Sequence, residues 1–385
     1  MKISEMVFEC LRFELLGRPL SDELKSTLYT EIPQKLYRFS KNQEVAHLVA
    51  DALIRNGLLE KGTEEYARFI NERNMAFYRH EQMKCVLSEI SKLFCDEKIF
   101  HIPLKKPVLY KYYPEPWMRL SCDLDILVKP EQLPIAIECL KKNLNYKVDT
   151  KGECDVGLMS LGGFQVELHF SLVGAEAKEK ERQILSNVWE TAIPQNDYLY
   201  LLDDKTNFCY TISHIAKHLK AGGCGIKPLI DVWMLNNKSN GDKQARYDLV
   251  EKAGLLTVCK AVEKLSRVWL LDEEPDSLCE GLEHYLLAGG VYGSFENKVA
   301  VQQTKKRSKF VYFLLRIFLP YRLMILEYPR LKKYPILYPF YIVKRWFRLF
   351  LKSHRERVFT EVAQTFNDRE RGKQVKKIFK ELDLI

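Results

Sequence analysis

Residues 120–128 read Leu120-Ser121-Cys122-Asp123-Leu124-Asp125-Ile126-Leu127-Val128. Two carboxylates stand one residue apart, and apolar residues fill the alternate positions and continue the run. Successive side chains on a β-strand point to opposite faces. A strand here puts Asp123 and Asp125 together on one face and anchors Leu124 and Ile126 in a core on the other. Carboxylates this close repel one another, and a cation between them relieves the repulsion. Hard cations such as Mg²⁺ take oxygen ligands and share them with substrate phosphates. The stretch therefore reads as a metal-bearing phosphoryl or nucleotidyl transfer site. The plain alternative is a solvated strand end before the turn at Lys129-Pro130, since acidic side chains are mostly exposed.

A second stretch, Phe164-Gln165-Val166-Glu167-Leu168-His169-Phe170, repeats the period of two. Gln165, Glu167 and His169 share one face, and Val166, Leu168 and Phe170 the other. If the two strands are neighbours, Glu167 joins Asp123 and Asp125 as a third carboxylate. Two metals on three carboxylates can activate an attacking oxygen, steady a leaving group and neutralise phosphates.

The 385 residues suffice for two or three domains, with the composition of a soluble globular protein. Ten cysteines stand apart with no Cys-x-x-Cys pair, which argues against a zinc ribbon or disulfide framework and fits a reducing cytoplasm. The first residues carry acids where a signal peptide needs an apolar run, and no apolar stretch reaches membrane-spanning length. The net charge of +9 is uneven. Residues 305–357 hold 15 Lys and Arg against 2 acidic residues, a local balance of +13 that leaves the rest at −4.

Helical periodicity dominates residues 1–97 and returns after Asp203. Between them, 100–109 reads as a strand and its exit, 111–116 as a Tyr-Pro loop, 130–144 as a helix and 146–148 as the start of a strand. A loop with Gly152, Gly157, Gly162 and Gly163 leads into the Glu167 strand. The expected divisions are a helical region 1–97, an α/β core 98–203, a helical region 204–300 and a basic, aromatic-rich helical region 301–385.

From Leu104 to Phe170 the chain resembles a large bacterial family of nucleotidyltransferases. That family has a strand ending in Leu-Lys-Gly, a Tyr-Pro loop, an arginine, Asp-x-Asp and a downstream Glu-Leu-His. The matching residues here are Leu104-Lys105-Lys106, Tyr113-Pro114 and Pro116, Arg119, Asp123-Leu124-Asp125 and Glu167-Leu168-His169. The resemblance implies an α+β fold: a mixed sheet of polymerase-β-like nucleotidyltransferase type between N- and C-terminal helical regions. It also implies Asp123, Asp125 and Glu167 as metal ligands. Two departures stand out: Lys106 replaces the family glycine, and no Gly-Ser turn precedes the aspartates. Lys105, Lys111 and Arg119 are then the candidates for gripping a nucleotide.

Other residues admit two readings each. Arg119 suits a phosphate clamp or an ion pair holding Asp123. His169 suits a supporting residue, a metal ligand or a general base. His214 and His218 lie four apart on one helix face, without the glutamate of a zinc-protease helix. They line the cleft or pack against the α/β unit, with Asp231 as a partner. In residues 340–352, Val343, Trp346, Phe347 and Phe350 form a stripe among Lys344, Arg345, Arg348 and Lys352, compatible with a membrane surface, single-stranded nucleic acid or plain packing.

The expectation is a cytoplasmic, Mg²⁺-dependent (or Mn²⁺-dependent) enzyme that moves a nucleoside monophosphate from a nucleoside triphosphate to an acceptor. Sugar phosphate, small molecule, RNA and protein all qualify as acceptor, and residues 305–357 are a candidate peripheral membrane contact. The rival is a non-catalytic binding or scaffold protein on the same fold.

Overall fold

The computed structural model describes residues 1–28, 33–291 and 369–385, together with 293, 297, 301, 321, 324, 328–332 and 334–350. Five helices come first: α1 Ile3–Leu16, α2 Asp22–Thr27, α3 Pro33–Asn42, α4 Ala46–Arg55 and α5 Glu64–Asp96. At 33 residues, α5 is about 50 Å long. Thr63 caps it by accepting the Tyr66 N–H. The α/β part follows with β1 His101–Pro103, α6 Lys106–Leu109, β2 Asp123–Val128, α7 Leu133–Leu144, β3 Lys147–Lys151, β4 Asp155–Met159 and β5 Gln165–His169. Short elements come next: α8 Glu179–Ser186, α9 Val188–Thr191, β6 Ile193–Pro194 and β7 Tyr200–Leu201. Helices then return as α10 Asp204–Ala221, α11 Lys227–Lys238, α12 Lys243–Lys252, α13 Leu256–Leu271, α14 Ser277–Gly289, α15 Tyr338–Phe350 and α16 Arg369–Glu381.

The main sheet runs β1-β2-β5-β4-β3. It is mixed: β2 and β5 are parallel, and the other pairs are antiparallel. This is the expected α+β architecture. One face is apolar. Leu124, Ile126, Val166 and Leu168 pack with Ile90 and Phe94 of α5 and with Ala136 and Leu140 of α7 in one buried cluster. The period of two in β2 and β5 thus anchors one face and frees Asp125, Glu167 and His169 for the other.

A second cluster joins the N-terminal helices to residues after Asp203. Phe8 stacks on Trp269 with ring centres 4.9 Å apart, and Gln43 donates to the Leu287 carbonyl. The helical regions drawn separately at 1–97 and 204–300 therefore share one core.

Within the strand and its exit read over 100–109, the strand ends at Pro103 and 106–109 form a helical turn. One local reading needs correction. The glycine-bearing loop contains β4, opposite β5. Gly157 pairs with Glu167, and a Cβ there would meet Thr150 Oγ1 at 2.2 Å. The glycine marks a close approach within a sheet rather than a loop.

Among the described residues no helix is long and apolar enough to cross a membrane. Most of the basic stretch 305–357, with its expected membrane contact, lies outside the described residues.

Candidate active site

Strand β2 places Asp125 opposite Glu167, Asp123 opposite Gln165 and Leu127 opposite His169. Asp125 is 2 % exposed. Its Oδ1 accepts from Lys105 Nζ at 2.7 Å and from His169 Nε2 at 2.8 Å. The same imidazole nitrogen lies 3.6 Å from Glu167 Oε2, and Gln165 Nε2 donates to Glu167 Oε1 at 3.1 Å. Burial alone would raise the Asp125 pKa, but the Lys105 ammonium and the His169 hydrogen bond outweigh it and hold the carboxyl far below its ordinary range. For His169, burial opposes the charged ring, yet hydrogen bonds to Asp125 and Glu167 raise it to about 9.

Asp123 behaves differently. It is half-buried and accepts from Ser121 Oγ at 2.7 Å. Burial first, then the neighbouring Asp125 charge, raises its pKa. Among the described residues, the group whose ligand atoms all lie within 4.8 Å of one another is Asp125, Glu167 and His169. Asp123 shares the strand face but falls outside that group.

Lys105 reaches Asp125 from a strained backbone, φ 57° and ψ −115°, a conformation that favours glycine. Its residue position is fixed on both sides. The Leu104 N–H donates to the Asp125 carbonyl at 3.0 Å, and the Lys105 carbonyl accepts from the Val108 and Leu109 amides that open α6. Non-glycine strain of this kind costs about 1–3 kcal/mol and persists where surrounding contacts over-determine it.

Helix α10 carries three rings that feel the Lys105 and Asp125 charges. Asp203 caps it by accepting the Thr206 N–H, and Gly222 at φ 119° ends it. Tyr210, His214 and His218 follow at four-residue spacing. Ring centres are 6.0 Å apart for Tyr210–His214 and 4.3 Å for His214–His218. Burial, then the nearby Lys105 ammonium, holds both imidazoles neutral, His218 down at about 4. Burial also raises the Tyr210 hydroxyl, with Lys105, Asp125 and Glu167 the strongest charges acting on it. Tyr210 escaped the sequence reading, although the spacing that linked the histidines extends back to it.

Arg119 has a different partner from the one expected. It is 8 % exposed. Nε and Nη2 donate to the two oxygens of Asp231 at 2.6 and 2.7 Å, and Nη1 donates to the Leu120 carbonyl at 2.8 Å. Tyr113 donates a further bond to Asp231 at 2.7 Å. Asp231 thus joins Arg119 and Tyr113 rather than the histidines. The pair ties the loop before β2 to α11. Lys111 is exposed, with its ammonium 5.1 Å from the Tyr112 ring centre.

The two carboxylates Asp125 and Glu167 suit a divalent cation, which takes oxygen donors when it is hard. Asp125 remains ionised, as a ligand must. A ligating imidazole must be neutral, so His169, raised to about 9, would join the set only by giving up its proton.

No curated protein and no solved structure matches the chain. A family correspondence accompanies the carboxylate site on the mixed sheet and the helix bearing two histidines. A model of the family described as "Uncharacterised nucleotidyltransferase" matches residues 31–270, more than half of the chain, and the protein belongs to that family.

Proposed function

We propose that the protein transfers a nucleoside monophosphate from a nucleoside triphosphate to an acceptor oxygen, with a divalent cation held at Asp125 and Glu167. The observation that carries this reading is the parallel register of Asp125 and Glu167, with Lys105 and His169 bonded to the same Asp125 oxygen. Asp123, on the same strand face, supplies a third carboxylate. The cation, Mg²⁺ or Mn²⁺, would neutralise phosphate charge and acidify the acceptor.

The chain's own groups do the rest. The acceptor oxygen forms a bond to the α-phosphorus while the bond to pyrophosphate breaks. Lys105 contributes fixed positive charge where phosphates gather. His169 holds Asp125 in its orientation. Tyr210, His214 and His218 add no charge and form the wall of α10 beside the reacting atoms. Arg119 supports the loop before β2 through Asp231 instead of gripping phosphate. The acceptor is a sugar phosphate, a small molecule, an RNA end or a protein side chain.

Calorimetric titration of each nucleoside triphosphate, with Mg²⁺, with Mn²⁺ and without metal, tests the reading. Metal-dependent binding is expected in the wild type and is lost in Asp125→Asn and Glu167→Gln. With an acceptor found, either variant turns over at least about 10²-fold more slowly, the usual scale for removing one electrostatic contact to a transition state. Binding unaffected by both substitutions would remove the site. Absence of any nucleotide binding would favour the non-catalytic scaffold.

A further inference from the structure

Lys106 follows Lys105 in the chain but has a very different environment. It is 1 % exposed, and its Nζ has no hydrogen-bond partner. The charges that act on it are mostly of its own sign. Burial first, then Arg119 and Lys227, with Arg79 a smaller contributor, pushes its pKa down to about 7, and the Cys122 sulfur opposes this. The two histidines that feel its charge are also driven toward neutrality, chiefly by burial: His47, to about 3, and His80. His47 is bonded to the Met118 carbonyl, whereas the Nδ1 of His80 is buried without a partner.

Arg119 and Lys227 already have their counter-charges, in Asp231 and Glu44. Lys106 has none among the ion pairs of the described residues. Buried polar groups in native proteins are almost always satisfied, and an orphan calls for an explanation. Lysine is also rarely buried unless paired.

Lys106 and His80 line one cavity of about 500 Å³, together with Tyr110. Much of the remaining wall is apolar, including Met83, Leu87 and Leu199. That volume lies in the range of small-molecule sites, which combine an apolar wall with a few convergent polar groups.

We propose that this cavity binds a small organic anion, with its head group on Lys106 and His80 and its apolar body against Met83, Leu87 and Leu199. The head supplies the counter-charge that Lys106 lacks. Carboxylate and phosphate heads share that chemistry. The site stands independently of nucleotidyl transfer, because it uses none of the carboxylates of β2 and β5.

The test is calorimetric titration of the full chain with two probes of equal apolar body, heptanoate and hexyl phosphate. Binding of either one, weakened at least tenfold in Lys106→Met and retained in Asp125→Asn, is the expected result. Preference between the probes assigns the head group. A second measurement covers a Lys106→Met chain that fails to fold. Reductive methylation of the wild type, read by mass spectrometry, should modify Lys106 more slowly when the probe is saturating. Failure of both probes to bind the wild type, equal affinity in a folded Lys106→Met, or unchanged labelling of Lys106 with probe present would each overturn the proposal.

Discussion

Removing the Asp231 carboxylate should destabilise the protein severely, and removing Arg119 as well should restore much of the loss. Asp231 is 3 % exposed and accepts three hydrogen bonds, two from Arg119 and one from Tyr113. Asp231→Leu leaves the guanidinium buried with one remaining acceptor, the Leu120 carbonyl. Breaking a buried pair from one side costs about 3–5 kcal/mol. The orphaned Tyr113 hydroxyl adds about 1–3 kcal/mol. The two costs share one acceptor and overlap, so about 4–5 kcal/mol is expected for the single substitution. That is a large part of the roughly 5–15 kcal/mol available to a folded domain. The double variant Arg119→Met/Asp231→Leu fills the space with apolar side chains and should lie within about 2 kcal/mol of wild type, since such exchanges are often neutral. Urea denaturation followed by far-ultraviolet circular dichroism on the four proteins of the cycle gives the coupling energy. Asp231→Leu costing less than about 1 kcal/mol, or a coupling energy near zero, would refute the view that this pair is a structural clamp. Arg119 would then return as a phosphate ligand.

Other consequences can be checked in the same laboratory. At Lys105, where φ is 57° and ψ −115°, both Lys105→Gly and Lys105→Ala remove the Asp125 ion pair, but only glycine relaxes the backbone. Lys105→Gly should be the more stable by about 1–3 kcal/mol in urea, and equal stabilities would show that the backbone is not strained. Glu14 is buried beside Asp51, with Arg55 Nη1 3.5 Å from both. Burial, then the Asp51 charge, raises its carboxyl to about 8. The folded protein therefore holds this proton more tightly than the unfolded chain. The stabilisation is complete below pH about 4.5 and disappears as pH rises toward 8. Glu14→Gln should accordingly match wild type at pH 4 and exceed it at pH 8 by on the order of 2 kcal/mol, and a pH-independent difference would contradict the assignment. Finally, Asp125→Asn should weaken metal-dependent nucleotide binding more than Asp123→Asn, because Asp125 belongs to the close group with Glu167 and His169. The reverse order would move the centre of the site toward Asp123.

What the sequence made legible was local. A period of two, with carboxylates on one parity and branched apolar residues on the other, is enough to predict strands at Asp123–Val128 and Gln165–His169. The return of helical periodicity after Asp203, realised in α10, is equally local. The misreadings arose where a residue obeyed a distant constraint. Gly157 looks like a loop residue until Thr150 is placed against it across β3 and β4. At Lys105, read as a candidate for gripping a nucleotide, neither the backbone angles nor the bond to Asp125 was visible. The partner of Arg119 lies 112 residues away, on α11. Asp123 was the nearer carboxylate in sequence, and nearness in sequence was the only criterion available.

The strand register also separates the two aspartates, which no count of residues does. Asp123 and Asp125 share a face, and their spacing treats them alike. Pairing β2 with β5 in parallel sets Glu167 beside Asp125, and the next residue on that face, His169, bonds to the same oxygen. Asp123 faces Gln165, a neutral side chain whose amide is already given to Glu167. The asymmetry follows. Asp125 gathers the cations and stays ionised, while Asp123 keeps a serine hydroxyl and an elevated pKa. Two carboxylates with divergent environments can take divergent roles. A shift of register by one residue would turn Glu167 into the apolar core and Val166 onto the carboxylate face. Burial of Leu124, Ile126, Val166 and Leu168 between α5 and α7 resists that slip, so the core on one face of the sheet is what keeps the chemistry on the other in place.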